Sequence, residues 1–293
     1  MTDFPIPVRM VGAGSQPAEA DELQFLPMPR EMNTFRMPVV PDHVAREPLT
    51  EARDVLAAFL SEMERWNPEA DAYGPQQDLA GVAPEALEIV NQMLGEGEVS
   101  IRIGGERAVR IQESVFTGLW RVCTLDGDGA LASDRLEAAA LPRVVVDAAR
   151  AAAMPRLAPI GIPPGAMNSP AVINEIGAQM RAQRPGSRAH VVNLTLFPLT
   201  PDDHAVLEQA LPVGCVAMIS RGFGNCHITS TALRDVWRVQ YFNSMKTLIL
   251  NTIEIVDIPA VALAAAEDLD DSRERLAELV AWMDETCASS TQA

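Results

Sequence analysis

Trp120-Arg121-Val122 stands 117 residues before Trp237-Arg238-Val239, and the sequence around the two triplets matches without a gap. Laying 84–149 on 201–266 gives 16 identities in 66 positions, among them Leu94/Leu211, Gly97/Gly214, Val99/Val216, Gly105/Gly222, Ile111/Ile228, Glu137/Glu254 and Pro142/Pro259. Ile101/Met218, Ser114/Thr231 and Leu119/Val236 continue the pattern conservatively. Solenoid repeats have periods of about 20–50 residues. The longer offset here points to two copies of a small domain.

Each copy reads as one helix followed by three or four strands. In the first, Leu87, Val90, Met93 and Leu94 share a helical face, and Val99, Ile101 and Ile103 alternate as on a half-buried strand. Gly104-Gly105 signals a hairpin, Val109 and Ile111 alternate, and 119–122 is a short apolar strand. The turn at 126–129 leads to a segment ending at Pro142, with a helix after it. In the second copy, 191–197 reads as a strand, and Thr200 with Asp203 forms a capping box whose helix opens on Pro201. Strands follow at 215–219, 226–229, 236–242 and 247–256. Because strands do not alternate with crossover helices, the predicted class is α+β. The expected architecture is two copies of a helix-plus-antiparallel-sheet module, with an extended Pro/Met-rich N-terminal arm and an acidic C-terminal helix over 261–286. The expected boundaries are 1–75 for the arm and a helix at 49–66, and 76–154 for the first module. The connection spans 155–190, with a helix at 170–183, and the second module spans 191–293.

Bulk properties narrow the function. The chain has 293 residues, is 48% hydrophobic and carries a net charge of −17. That charge repels nucleic acid and anionic lipid, so neither is an expected partner. It attracts basic segments, or serves only solubility. The four cysteines include no C-x-x-C pair, and no apolar run approaches a membrane span. The opening Met-Thr-Asp-Phe-Pro lacks the pattern of a signal peptide, so a cytoplasmic location without membrane insertion is expected.

Catalytic motifs are missing: the four histidines form no H-E-x-x-H, and G-x-S-x-G and the phosphate-loop motif are absent. No catalytic residue, cofactor or metal is predicted. The densest polar cluster is Ser220-Arg221-Gly222-Phe223-Gly224-Asn225-Cys226-His227. It reads as a hairpin turn doubling as a contact loop, or as a thiol or metal site; Cys226 and His227, adjacent on a strand, face opposite sides and should not chelate together. Trp120 and Trp237 read as core anchors, with Arg121 and Arg238 paired to acids such as Glu137 and Glu254; the alternative is a Trp/Arg binding surface. Met28 and Met32, among prolines, could grip a partner through soft thioethers. Candidate partner-binding residues are therefore Met28, Met32, Arg221, Gly222, Gly224, Asn225, Cys226, Trp237, Arg238, Tyr241 and Asn243. Trp120, Arg121, Glu137 and Glu254 are the repeat anchors. What differs between the copies suggests that the first is mainly scaffold and the second carries the partner-specific surface.

The runs 220–226, 236–243, 247–259 and 265–268, with 94–99, 111–114, 120–122, 26–32 and 167–170, closely resemble the HupH/HyaF family of hydrogenase expression/formation proteins. The resemblance covers nearly the whole chain. It implies a non-enzymatic accessory protein that assists maturation of the iron–sulfur small subunit of an uptake [NiFe]-hydrogenase before twin-arginine export. The implied partners are the small-subunit precursor and a thioredoxin-like accessory protein. A redox or metal-handling role for Cys226 is the rival reading.

Overall fold

The alternating segments of both copies join one antiparallel sheet. The computed structural model describes residues 46–68, 70–71, 73–151, 153–222 and 224–289, so Met28 and Met32 of the expected arm lie outside it. In chain order the elements are α1 (Arg46–Arg65), β1 (Gln76–Asp78), α2 (Pro84–Leu94), β2 (Val99–Ile103), β3 (Val109–Glu113), β4 (Leu119–Leu125), β5 (Leu131–Ala138) and α3 (Arg143–Ala151). They continue with α4 (Ser169–Ala182), β6 (His190–Asn193), α5 (Pro201–Ala210), β7 (Val213–Ser220), β8 (Asn225–Thr231), β9 (Val236–Phe242), β10 (Leu248–Ile255) and α6 (Ala266–Ser289). The strand order is β1-β5-β4-β3-β2-β7-β8-β9-β10-β6. The α+β class is therefore observed, with all described strands in one continuous sheet.

The order is symmetric about the β2·β7 seam. There Ile101 pairs with Met218, Val99 with Ser220 and Ile103 with Val216, so residues 117 apart in sequence face each other at the centre. The correspondence extends to the turns. Asp126 Oδ1 accepts from the amides of Asp128 and Ala130, and Asn243 Oδ1 accepts from Met245 and Thr247, the positions 117 further on. Left-handed backbone recurs at the same places: Gly118 (φ 79°) matches Asp235 (φ 57°), and Gly129 (φ 82°) matches Lys246 (φ 60°). The register slip after Thr124 is repeated between Leu248 and Leu250.

Period-2 burial divides the sheet into two faces. On one lie Ile101, Ile111, Trp120, Val122, Met218, Ile228, Trp237 and Val239, covered by Val145 of α3 and by Ala262. On the other, α1, α2 and α6 pack over Leu119, Leu136 and Ala138 at one end. At the other end Val172 and Ile176 of α4 and Leu207 of α5 pack over Val236, Ile253 and Ile255. The middle of this helical face, over β2, β3 and β7, lies between the two helix groups.

Several expectations need correction. Residues 76–78, given no element in the sequence reading, form β1, which pairs with β5. The strand expected at 191–197 ends at Asn193, whose side chain accepts from Thr195 N and turns Leu194–Leu196 into a 3-10 helix. The C-terminal helix begins at Ala266, after a 3-10 turn at Ala260–Ala262. Its acids face outward, but Leu276, Leu279, Val280 and Met283 enter the core with α1 and α2. The element closing the second half thus packs on the first, fastened by Ser272 Oγ donating to Thr117 O at 2.9 Å.

Candidate functional site

The sequence-selected residues divide between the two faces of the sheet. Trp120 and Trp237 are each 2% exposed, and their indole N–H groups donate to Ala139 O at 2.9 Å and Asp257 O at 3.2 Å. Both are core anchors, and Trp237 is not a contact surface. Cys226 joins the same face, 3% exposed and opposite Tyr241 on β9. Burial pushes its thiol up, against a lowering hydrogen bond with Tyr241, and burial together with Cys226 pushes the Tyr241 phenol up to about 12. Burial also raises the carboxyl of half-buried Glu254, which the Thr252 side chain partly offsets. An enclosed thiol held away from its thiolate is a poor nucleophile. His227 faces the other side, its ring 4.7 Å from that of Phe242, so the adjacent Cys226 and His227 diverge as the strand period requires.

The arginines of the repeated triplets also lie on the helical face, and their pairing differs from expectation. Arg121 Nε donates to Asp134 Oδ1 at 2.9 Å, and its Nη2 donates to Oδ2; Glu137 is not its partner. Glu137, on the opposite face, accepts from Arg143 N at 3.0 Å, starting α3. Alternation explains the error: Arg121 and Glu137 stand on neighbouring strands but point to opposite sides. In the second half the position of Asp134 is held by Asn251, whose Oδ1 is buried and without a hydrogen-bond partner. Arg238 accordingly makes no ion pair among the described residues. Burial lowers its pKa, with Glu208 of α5 pulling the other way.

The Gly-rich run is a turn, as read. Gly224 has φ 88°, and a Cβ on Gly222 would collide with the Glu98 carboxylate. Asn225 opens β8 opposite Phe242, and Asn243 shapes the β9–β10 turn as Asp126 shapes the β4–β5 turn. That turn presents Met245 and Ile249, 80% and 56% exposed. Exposed Arg221 leaves β7 at the mouth of a cavity of about 570 Å³. Arg102, Arg110 and Arg121 also line this cavity, with Phe59, Leu94 and Leu136 in its walls. Sequence reading passed over Arg102 and Arg110. The signal was available, because the apolar alternation of β2 and β3 leaves both on the opposite face. The structure therefore brings Arg121 and Arg221 together and leaves Cys226, Trp237 and Tyr241 on the far side of the sheet. The cavity is built mainly by residues of the first half.

A family model described as "HupH hydrogenase expression protein, C-terminal conserved region" matches residues 49–156 and 166–283. The chain belongs to the HupH family. The two matched segments start 117 residues apart, the offset of the sequence repeat. The HupH-family chain is 45% identical to "Hydrogenase expression/formation protein HoxQ" of Cupriavidus necator over 97% of its own length and 99% of the relative's. It is 39% identical to "Hydrogenase expression/formation protein HupH" of Rhodobacter capsulatus, covering 96% and 98% of the two chains. With "Hydrogenase-1 operon protein HyaF" of Escherichia coli it shares 33% identity over 94% and 96%. A solved structure, "Hydrogenase expression protein HupH from Thiobacillus denitrificans", is 24% identical with a TM-score of 0.36, covering 39% of this HupH-family chain and 95% of that one. These relatives support a role in hydrogenase maturation.

Proposed function

We propose that this HupH-family protein is a non-enzymatic assembly chaperone for the iron–sulfur small subunit of an uptake [NiFe]-hydrogenase. It acts in the cytoplasm before twin-arginine export, beside a thioredoxin-like accessory protein. The observation that carries the reading is the shared description of relatives aligned over nearly the full chain. The net charge of −17 supports it, because a twin-arginine signal is basic and is steered toward an acidic surface. Screening limits that attraction to about 8–10 Å at physiological salt, so the charge speeds encounter without defining a site. We also infer that the two halves are copies of one duplicated module. The symmetric register at the seam, the paired turns and the 117-residue offset of the matched segments support this.

The rival role, a redox or metal site using Cys226, needs an accessible thiolate. The 3% exposure and raised thiol pKa argue against it. A deletion strain tests the chaperone role. The expected result is small-subunit precursor that accumulates without its iron–sulfur clusters, measured as iron per subunit. Fully loaded and exported small subunit in that strain would contradict it.

A further inference from the structure

On the helical face Arg102 of β2 stands directly opposite Arg110 of β3. Like charges in that position repel and destabilise the strand pair. Both are exposed, and neither forms an ion pair among the described residues. The corresponding residues of the second half are Ile219 and His227, also directly paired, so the arginine pair is a feature of the first half alone. Arg121 and Arg221 line the same cavity, and Glu96 is the only carboxylate among the described lining side chains. In a chain with 40 acidic and 23 basic residues, Asp134 answers Arg121, while the guanidinium groups of Arg102, Arg110 and Arg221 are gathered with no ion pair among the described residues.

The layout favours an extended ligand with several charges. The three unpaired arginines lie on β3, on β2 and just past the end of β7, which are neighbouring strands. At about 4.8 Å between strands they span roughly 10 Å across the sheet, the length of about three extended residues. A single inorganic anion bonds only groups within about 3 Å and would leave most of the set unanswered. Phe59, Leu94, Leu119 and Leu136 back the charges as buried core side chains that hold the cavity wall rigid. Arginine forks match carboxylates bidentately, and the chain's overall negative charge disfavours nucleic acid.

We propose that this cavity binds an extended acidic segment of a partner protein, with carboxylates on Arg102, Arg110 and Arg221. This goes beyond the chaperone reading and does not depend on it. The site is distinct from any acidic surface that attracts a basic signal. The repulsion between Arg102 and Arg110 is then a cost of the free protein that the bound ligand relieves.

Fluorescence anisotropy of the full chain tests the proposal, using a short labelled peptide alternating Glu and Leu and a counterpart alternating Gln and Leu. The Glu peptide should bind, and the Gln peptide should bind about ten-fold or more weakly. The double variant Arg102→Gln/Arg110→Gln should lose affinity for the Glu peptide by a similar factor while its unfolding midpoint rises. A control double variant, Arg156→Gln/Arg188→Gln, changes exposed arginines outside the cavity and should keep full affinity. If the first double variant does not fold, Arg221→Gln, beyond the end of β7, provides the same affinity readout. Equal binding of the two peptides, or unchanged affinity in the cavity variants, overturns the proposal. So does displacement of the peptide by inorganic phosphate at matching concentration, which would indicate a single-anion site.

Discussion

Asp203 organises more backbone than any other side chain described. Fully buried, it accepts from the amides of Met167, Asn168 and Ser169 and from Ser169 Oγ at 2.8–3.0 Å. It also closes the capping box with Thr200. The capping box was legible from Thr200 and Asp203. The larger role was not, because nothing local shows that 167–169 folds back onto α5. Burial alone would raise this carboxyl, but the bonds from Ser169, Thr200 and Asn168 outweigh it and hold it well below the usual carboxylate range. A depressed folded pKa adds stability above the unfolded value and loses it as pH falls through the folded one. Asp203→Asn should therefore lower the urea midpoint at neutral pH, with the deficit shrinking in strong acid. Glu113 has the opposite sign. Burial, with Glu98 and Asp268 adding repulsion against a lowering bond from Gly118 N, raises it from 4.5 to about 7. Its folded state loses stability as pH rises through that window, so Glu113→Gln should be the more stable protein at pH 8, by about 3 kcal/mol. Equal urea midpoints at pH 3, below the unfolded pKa, and a gap at pH 8 would verify this. Lys246 holds φ 60° where the first half has a glycine. Lys246→Gly should raise stability by about 1 kcal/mol in thermal unfolding.

At the scale of elements, alternation located β2, β3 and β9 because each buries one face, and period 2 is visible without the partner strand. β1 was hidden because its three residues, Gln76–Asp78, include no apolar side chain, and only pairing with β5 makes them a strand. The cavity was hidden for a related reason. Arg102 and Arg110 become neighbours only when the β2–β3 register is set, and Arg221 joins them only across the β2·β7 seam. The acidic composition of α6 drew attention to its exposed face and obscured its buried stripe. Leu276 is fully buried there between α1 and α2. Leu276→Ala should cost about 3 kcal/mol, as for other large-to-small core changes, measurable by chemical denaturation. A loss below 1 kcal/mol would show that α6 is a loosely docked appendage.

Across the whole molecule, the sequence repeat predicted two modules, and the structure shows one continuous sheet of the described strands, with the C-terminal helix α6 packed on the first half. What sequence comparison within the chain could not show is that β2 and β7 pair, since the edges of two modules carry no mark of their partner. A fragment of residues 46–156 lacks α6 and bares the edge of β2. It should self-associate in size-exclusion chromatography, because an unpaired apolar edge recruits another strand; a stable monomer would argue against the seam. The functional account stands or falls with the client. The most direct measurement is co-purification of the tagged full chain from hydrogenase-expressing cells, with the small-subunit precursor quantified in the eluate. The account predicts recovery of the precursor, reduced when its signal peptide is deleted. An eluate lacking both the precursor and the thioredoxin-like partner would contradict it.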